Sequence, residues 1–493
     1  MSETYFDVLI VGAGLSGIDA AYRLQTECPG KTYAILEGRS ALGGTWDLFR
    51  YPGIRSDSDM FTLGYPFRPW DQPDAIAAGP AILSYISDTA REYEIDRHIH
   101  YDHQVTTAAW SSESARWTVQ ATSGDGSVRT FTCRFLYLCS GYYSYKEGYT
   151  PEFPGRDRFQ GTVVHPQQWP ENLDYSGKKV VVIGSGATAV TLVPAMVPEA
   201  GHVTMLQRSP TYVGAVPGRD PMVARLRLLV SPSRVAKIAR WRNLALGAVM
   251  WQFVRRFPKS SRSMLQRVAD KRLAGSSVSA DPHFVPDYDP WDQRLCLAPD
   301  GDLFEALKSD RASIVTDKIA QFTSSGIQLE SGRHLDADII VTATGLQVVA
   351  AGEIDLEVDG RKVSLHDKWA YRGVMYSDMP NFAWCIGYTN ASWTLRADLS
   401  SRYVCRLLNY LDEHGYDFAA PSTGGKDFRE RPFLNLKSGY VLRAQSVMPK
   451  QSDRAPWQVR QNYLLDFGTM RFGNIGESMV FGRRSPKSVS LRA

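Results

Sequence analysis

Cysteine is scarce in this chain, with six thiols in 493 residues (Cys28, Cys133, Cys139, Cys296, Cys385, Cys405), no C-x-x-C pair and no Cys/His cluster at metal-ligand spacing. A disulfide framework and a zinc site are therefore not expected, metal ligands are assigned to no residue, and a reducing cytosol fits. Long apolar runs are missing too. In the most basic part of the chain the longest uncharged apolar stretch, Asn243 to Val254, is 12 residues, where a bilayer span needs ~20. A signal peptide is not expected either, because the chain enters a strand-like run, Tyr5 to Val11, almost at once. The expected location is the cytoplasm.

A large excess of one charge is also absent, with 56 Lys+Arg against 52 Asp+Glu for a net +4. The average hides a segregation. Residues 221–275 carry thirteen Lys+Arg against one acid, Asp270, so the rest of the chain has 43 basic against 51 acidic residues. One basic block on an acidic body does not read as a nucleic-acid binder, which spreads basic groups over its recognition surface. What is present is apolar material, 43% of residues, enough for several cores and too long for one.

Val8-Leu-Ile-Val-Gly12-Ala-Gly14-Leu-Ser-Gly17 is an apolar run that becomes G-x-G-x-x-G and then a helix-like stretch. Gly12 permits the tight turn, Gly14 the approach of a pyrophosphate and Gly17 close helix–strand packing; the helix N-terminus supplies N–H groups for the anion. A second strand, Tyr33 to Glu37, ends in an acid 20 residues after Gly17, placed to accept ribose hydroxyls. The pattern recurs at Lys179-Val-Val-Val-Ile-Gly184-Ser-Gly186-Ala-Thr188-Ala189, but here the following strand ends in Arg208-Ser209. An acid repels a 2′-phosphate and a guanidinium fork grips one. The chain is thus expected to hold FAD and NADPH, unless Arg208 is only a solvated loop arginine.

The strand-like runs ending at Ser140-Gly141 and Thr344-Gly345 suit chain crossings between the two units. The expected fold is α/β, with two Rossmann-type dinucleotide-binding domains and a helical insertion. Residues 1–148 form the first part of the FAD domain, 149–215 the first part of the NADPH domain and 216–289 a helical basic insertion. Residues 290–335 complete the NADPH domain, and 336–493 complete the FAD domain and end in a basic tail from Arg483 to Ala493. A flavin disulfide reductase is disfavoured because no cysteine follows Glu37 until Cys133.

Between the fingerprints lies Phe159-Gln-Gly161-Thr-Val-Val-His165-Pro-Gln-Gln-Trp169-Pro170. It matches the F-x-G-x-x-x-H-x-x-x-W-[PD] signature, and the chain resembles the Baeyer–Villiger flavin monooxygenases, most closely their ethionamide-activating branch. Gly43-Gly44-Thr45-Trp46 through Asp57-Ser-Asp59, the loop Pro290 to Pro299 and Gly387 to Thr394 extend the resemblance over roughly residues 5 to 470. It implies a reaction in which NADPH reduces FAD, O₂ adds at the flavin C4a, and the anionic peroxide converts ketones to esters or lactones, with S-oxygenation of sulfides and thioamides besides. By the same resemblance Arg294 is the cation beside the oxygenated flavin and Asp57 the carboxylate that holds it. Gly44, Thr45, Trp46 and Gly345 belong to the cofactor loops. Phe159, Gly161, His165 and Trp169 form the linker signature, with His165 and Trp169 coupling cofactor binding to domain rotation.

On the residues alone, Asp57 could equally be a turn carboxylate capping Ser58-Asp59. Many relatives have Lys-Arg where this chain has Gln293-Arg294, which leaves Arg208 to carry more of the 2′-phosphate selection. Two rivals stay open: an N/S-oxygenating flavin monooxygenase, which usually carries Phe or Tyr at the position of Trp169, and a non-catalytic flavin redox sensor at a membrane surface.

Within the basic block, apolar residues recur at Val223, Leu226, Leu229 and Val230, and at Leu244, Ala248, Trp251 and Val254. Two readings compete: a solvated basic face over an ordinary helix core, slightly preferred, and peripheral contact with an anionic membrane through residues 216–289, which would favour hydrophobic substrates drawn from lipid.

Overall fold

A computed structural model describes residues 4–434 and 436–484. Two sheets organise it. In the first, Thr4–Val11 lies between the parallel strands Tyr33–Leu36 and Val128–Leu138, and Phe382–Trp384 adds in parallel beyond Val128–Leu138. The antiparallel strands Arg116–Ser123 and His103–Ser111 also join this sheet, followed by the late strand Asp355–Val358. The second sheet is parallel throughout, in the order Ala312–Thr316, His202–Gln207, Lys179–Ile183, Ile339–Thr342, Thr162–Val164. Runs such as Val180-Val-Val-Ile183 are apolar at every position because helices and loops cover both faces of such a sheet.

The chain thus enters the first sheet, crosses to the second near residue 160 and returns after residue 342. The return lies later than the boundary expected at 335/336. Ile339–Thr342 is hydrogen-bonded between Lys179–Ile183 and Thr162–Val164, so it is a strand of the second sheet and not part of the way back. Each sheet packs helices against its apolar faces. Leu15–Glu27 buries Ile18, Ala21 and Leu24 beneath Trp393–Glu413, while Ala187–Met196 buries Ala189, Leu192 and Val193 on the second sheet.

The segment after Val213–Val216 is helical: Pro221–Leu226, Pro232–Arg256, Pro258–Leu273 and Ala280–His283 precede the strand Cys296–Pro299, which pairs back onto Val213–Val216. Its apolar spacing is only partly used for a core. Val223 and Val254 are buried, but Leu229 is 86% exposed and Ala248 is exposed as well. Helical period fixes which residues share a face, and here, among the described residues, part of that face stays exposed. Of the expected C-terminal tail, residues 485–493 lie outside the described residues. Among the described residues, no helix is long and apolar enough to cross a membrane.

Candidate active site

Both glycine fingerprints sit at the C-terminal edge of a parallel strand and open a helix. At Gly17 a Cβ would stand 1.9 Å from the carbonyl oxygen of Gly12, so only glycine lets the helix pack this close. Gly184 adopts φ +140°, and a Cβ there would meet the Ala343 carbonyl oxygen at 2.3 Å. The helices begin at Gly14 and Gly186 without any side-chain cap. Their first-turn N–H groups therefore remain for an anion. Around Gly186 the space is open, with no atom within 4 Å of a built Cβ.

The first cavity, about 760 Å³, is walled by Gly12, Gly14, Glu37, Arg39, Thr45 and Trp46 on its nucleotide side. Glu37 is buried, with Oε2 accepting the Ala13 N–H at 2.8 Å and Oε1 the Arg39 N–H at 3.0 Å. Burial pushes its pKa up, against these two N–H groups and the Arg39 charge. The carboxylate thus pins the glycine loop at the cavity wall. Sequence reasoning missed the pair beside it, Arg39 to Asp47 at 2.7 Å, which ties that wall to the Gly44–Thr45 turn. It also missed Ser140, whose buried Oγ has no partner among the described residues. A polar atom left so at a cavity wall suits a bound polar ligand.

The second cavity, about 680 Å³, is lined by Gly184, Gly186, Arg208, Ser209, Gln293 and Gly345. Arg208 and Ser209 are exposed at its rim, and Arg208 forms no ion pair among the described residues. Arg443 stacks over the Tyr149 ring at 3.5 Å from its centroid on the same wall.

Asp57, Thr188 and Arg294 line both cavities. Arg294 Nη2 lies 2.8 Å from Asp57 Oδ2, and about a third of the arginine side chain (31%) faces open space although it sits deep between the domains. Burial works to lower the pKa of its guanidinium, but the Asp57 charge beside it outweighs burial and raises it; Tyr142, Tyr143 and Tyr440 stand nearby as neutral phenols, their own pKa values pushed up by burial. Arg294 is therefore a permanent cation. The neighbouring helix Met60–Leu63 is capped by Asp59, which accepts the Thr62 N–H at 3.0 Å, while Asp57 pairs with Arg294.

The three tyrosines were not legible as site residues. Tyr142 and Tyr143 follow the Ser140-Gly141 crossing, and their hydroxyls lie 3.3 Å apart. The Tyr142 ring stands 5.2 Å from that of Trp393, whose Nε1 donates to Ser16 Oγ at 2.7 Å.

The linker residues lie elsewhere. His165 Nε2 donates to the Gly345 carbonyl at 3.1 Å while Nδ1 accepts the Gln167 N–H at 3.2 Å, and burial lowers its pKa. Trp169 packs at the edge of the second core. Phe159 is buried against Phe322, and a Cβ at Gly161 would meet the Asp338 carbonyl oxygen at 2.3 Å. These two residues serve packing and touch neither cavity. Among the described residues no cluster of metal-ligating side chains occurs, and all six cysteines are buried free thiols.

Two dinucleotide cavities sharing one wall with an arginine–carboxylate pair define a two-nucleotide oxidoreductase. A flavin-binding monooxygenase-like family matches residues 56–218, and an NAD(P)-binding Rossmann-like domain family matches residues 10–73. The FAD-containing monooxygenase EthA of Mycobacterium tuberculosis is 51% identical over 97% of this chain and 98% of its own. The probable FAD-binding monooxygenase AlmA of Acinetobacter baylyi is 47% identical over 94% of this chain and 93% of its own. In three dimensions the chain is similar to an oxidized steroid monooxygenase bound to NADP (TM-score 0.76, 24% identity, 97% of this chain and 100% of that one). It is also similar to an open cyclohexanone monooxygenase (TM-score 0.75, 20% identity, 97% and 99%). The chain belongs to the flavin-binding monooxygenase family. It is an FAD- and NADP(H)-binding oxidoreductase of that family.

Proposed function

We propose that the protein is a Baeyer–Villiger monooxygenase, which catalyses ketone + O₂ + NADPH + H⁺ → ester or lactone + NADP⁺ + water. One oxygen atom enters the carbon skeleton beside the carbonyl, the other leaves as water, and NADPH supplies the two electrons. The observation that carries this reading is the Asp57–Arg294 pair, 2.8 Å apart in the wall common to both cavities. The first cavity would hold FAD and the second NADPH, and FAD would supply the activation of O₂.

The chain's own residues do the rest. The loop Gly12–Gly17 and its helix N-terminus would receive the flavin nucleotide's pyrophosphate, Glu37 would accept a hydrogen bond from a ribose hydroxyl, and Thr45 and Trp46 would wall the flavin end. Gly184, Gly186 and Thr188 would form the matching cradle for NADPH, with Ala189 packing their helix onto the sheet, and Arg208 with Ser209 would take its 2′-phosphate. Arg294 would present a fixed cation to the negative charge that develops in the reaction. Asp57 orients it. His165 joins the linker to Gly345 and is a positioning residue.

Hydrophobic ketones are the favoured substrates, since the first cavity is also walled by Leu63, Tyr142 and Trp393. The steroid and cyclohexanone monooxygenases are named for hydrophobic compounds of this kind. Sulfides and thioamides form a second substrate class on the family resemblance. Incubation with NADPH, O₂ and a long-chain 2-ketone tests the proposal. An ester one oxygen heavier than the ketone supports it, whereas NADPH consumption with peroxide as the only product overturns it.

A further inference from the structure

The helix Pro232–Arg256 has two unlike sides. Its inner side grips both loops that carry the Asp57–Arg294 pair. Asn243 Nδ2 donates to Asp59 Oδ1 at 2.9 Å, and Arg240 Nη1 donates to the Gly64 carbonyl at 2.7 Å. Further along, Trp251 meets Trp291 edge to face at 5.4 Å between centroids, and Arg255 pairs with Asp292 at 3.2 Å.

Its outer side is apolar and, among the described residues, uncovered. Ile238, Trp241, Ala245, Val249 and Phe253 recur every three or four residues, which puts them on one stripe of a helix. All five are exposed, and Leu246 and Met250 widen the stripe; Trp241 is 57%, Leu246 59% and Val249 67% exposed. Leu228 and Leu229, just before the helix, are more than four-fifths exposed. A contiguous apolar surface of this kind on a water-soluble domain marks an interaction site.

Charge selects the occupant. Arg225, Arg234, Lys237, Arg256, Lys259 and Lys271 are exposed on the same helical segment, and none forms an ion pair among the described residues. Residues 221–275 hold a single acid, Asp270. Two copies of this face brought together would set cation against cation. A nucleic acid would satisfy the charges but leave the Leu, Val and Met side chains against phosphate. An anionic bilayer satisfies both: its headgroups meet the basic residues, and its acyl boundary takes the apolar stripe with Trp241 and Phe253 at the interface.

We propose that the outer face of Pro232–Arg256, with the leucines before it, docks the protein on an anionic lipid surface. The docked helix is the one whose reverse side braces the reactive arginine and its carboxylate, so hydrophobic compounds dissolved in the lipid are held next to the catalytic domain. This inference does not depend on which oxygenation the enzyme performs.

The test is co-sedimentation of the FAD-loaded full-length protein with vesicles of phosphatidylglycerol and phosphatidylcholine in equal parts, or of phosphatidylcholine alone. The protein is expected to pellet with the anionic vesicles at low salt and to be released at about 0.5 M salt, where screening shortens the reach of charge to a few ångströms. Exchanging Trp241, Leu246 and Val249 together for Gln should abolish pelleting while the flavin absorbance and melting temperature stay unchanged. Should that variant lose its flavin, the milder Lys237→Ala with Lys259→Ala is expected to weaken binding about five-fold per charge removed. Absence of pelleting at low salt overturns the proposal, as does equal pelleting with phosphatidylcholine alone. It is also overturned by RNA binding that matches the vesicle affinity, or by self-association without vesicles that the Gln substitutions abolish.

Discussion

His165 Nε2 donates to the carbonyl oxygen of Gly345 at 3.1 Å, joining the signature segment of the linker to the point where the chain turns back toward the first sheet. The ring can do this only as a neutral imidazole with its proton on Nε2, since Nδ1 accepts the Gln167 N–H. Protonation would turn that acceptor into a second donor aimed at an N–H.

A pH dependence follows from this geometry. Burial depresses the His165 pKa below its ordinary 6.5. Above pH 6.5 the imidazole is neutral whether the protein is folded or unfolded, and it contributes its full share of stability. As the pH falls below 6.5 the unfolded chain takes up the proton first, so stability is lost until the pH passes the lower folded value. Thermal melts of the wild type and of His165→Gln between pH 8 and 5 should therefore converge as the pH drops. Parallel curves would show that the ring is not held neutral.

Replacing Arg294 is expected to separate the two half-reactions. With Arg294→Ala, flavin bleaching by NADPH under anaerobic conditions should persist at near wild-type rate, while ester formation falls about 100- to 1,000-fold, the range seen when one preorganised charge-stabilising donor is removed. Asp57→Asn keeps the cation but loosens its aim, so a smaller loss, about ten-fold, is expected. Stopped-flow absorbance and product chromatography read the two steps separately. Equal loss of both would assign Arg294 to NADPH binding instead.

The features legible in the sequence are those that short-range sterics impose. A glycine whose Cβ would meet a carbonyl oxygen at 1.9 or 2.3 Å must be glycine, so Gly17 and Gly184 announce both nucleotide folds without knowledge of the rest of the chain. Asp57 and Arg294 were legible only through family resemblance, because nothing local in either loop foretells their meeting. The hydroxyls of Tyr142, Tyr143 and Tyr440 around Arg294 come from two distant segments, and neither segment has a pattern that points to the arginine. The strand Ile339–Thr342 resembled a crossing because an apolar run ending in Thr-Gly reads the same whichever sheet it joins. The exposed stripe around Trp241 was hidden for a related reason: amphipathic spacing says which residues lie together, and only tertiary packing says whether anything covers them.

Coenzyme choice is expected to rest on Arg208. The residue before Arg294 is Gln293, which brings no charge to the second cavity. Removing Arg208 should therefore leave the 2′-phosphate with little to bind it. Arg208→Ala is expected to raise KM for NADPH about 10- to 100-fold, the worth of charge-assisted hydrogen bonds, and to leave KM for NADH nearly unchanged. Steady-state oxidation of both coenzymes measures this. A parallel rise for NADPH and NADH would mean that Arg208 supports the fold and not the phosphate.

Gly17→Ala addresses the first cavity by sterics alone. The added methyl would lie 1.9 Å from the Gly12 carbonyl oxygen and 3.6 Å from Ile10 Cγ2, so the helix Leu15–Glu27 must move away from the strand Thr4–Val11. That movement withdraws the first-turn N–H groups from the position of the pyrophosphate. The remainder of the helix is held by Trp393–Glu413, and Arg23 is buried against Asp398 with Nε donating at 2.8 Å, so the domain should still fold. The expected product is a soluble, folded protein that purifies without yellow colour and binds added FAD at least tenfold more weakly. Gly14→Ala, where the nearest atom to a built Cβ is 3.6 Å away, should fold equally well and lose FAD affinity only through crowding of the nucleotide itself. Flavin content by absorbance and folding by circular dichroism distinguish these cases, and a fully yellow Gly17→Ala protein would show that the close approach is not what holds the cofactor.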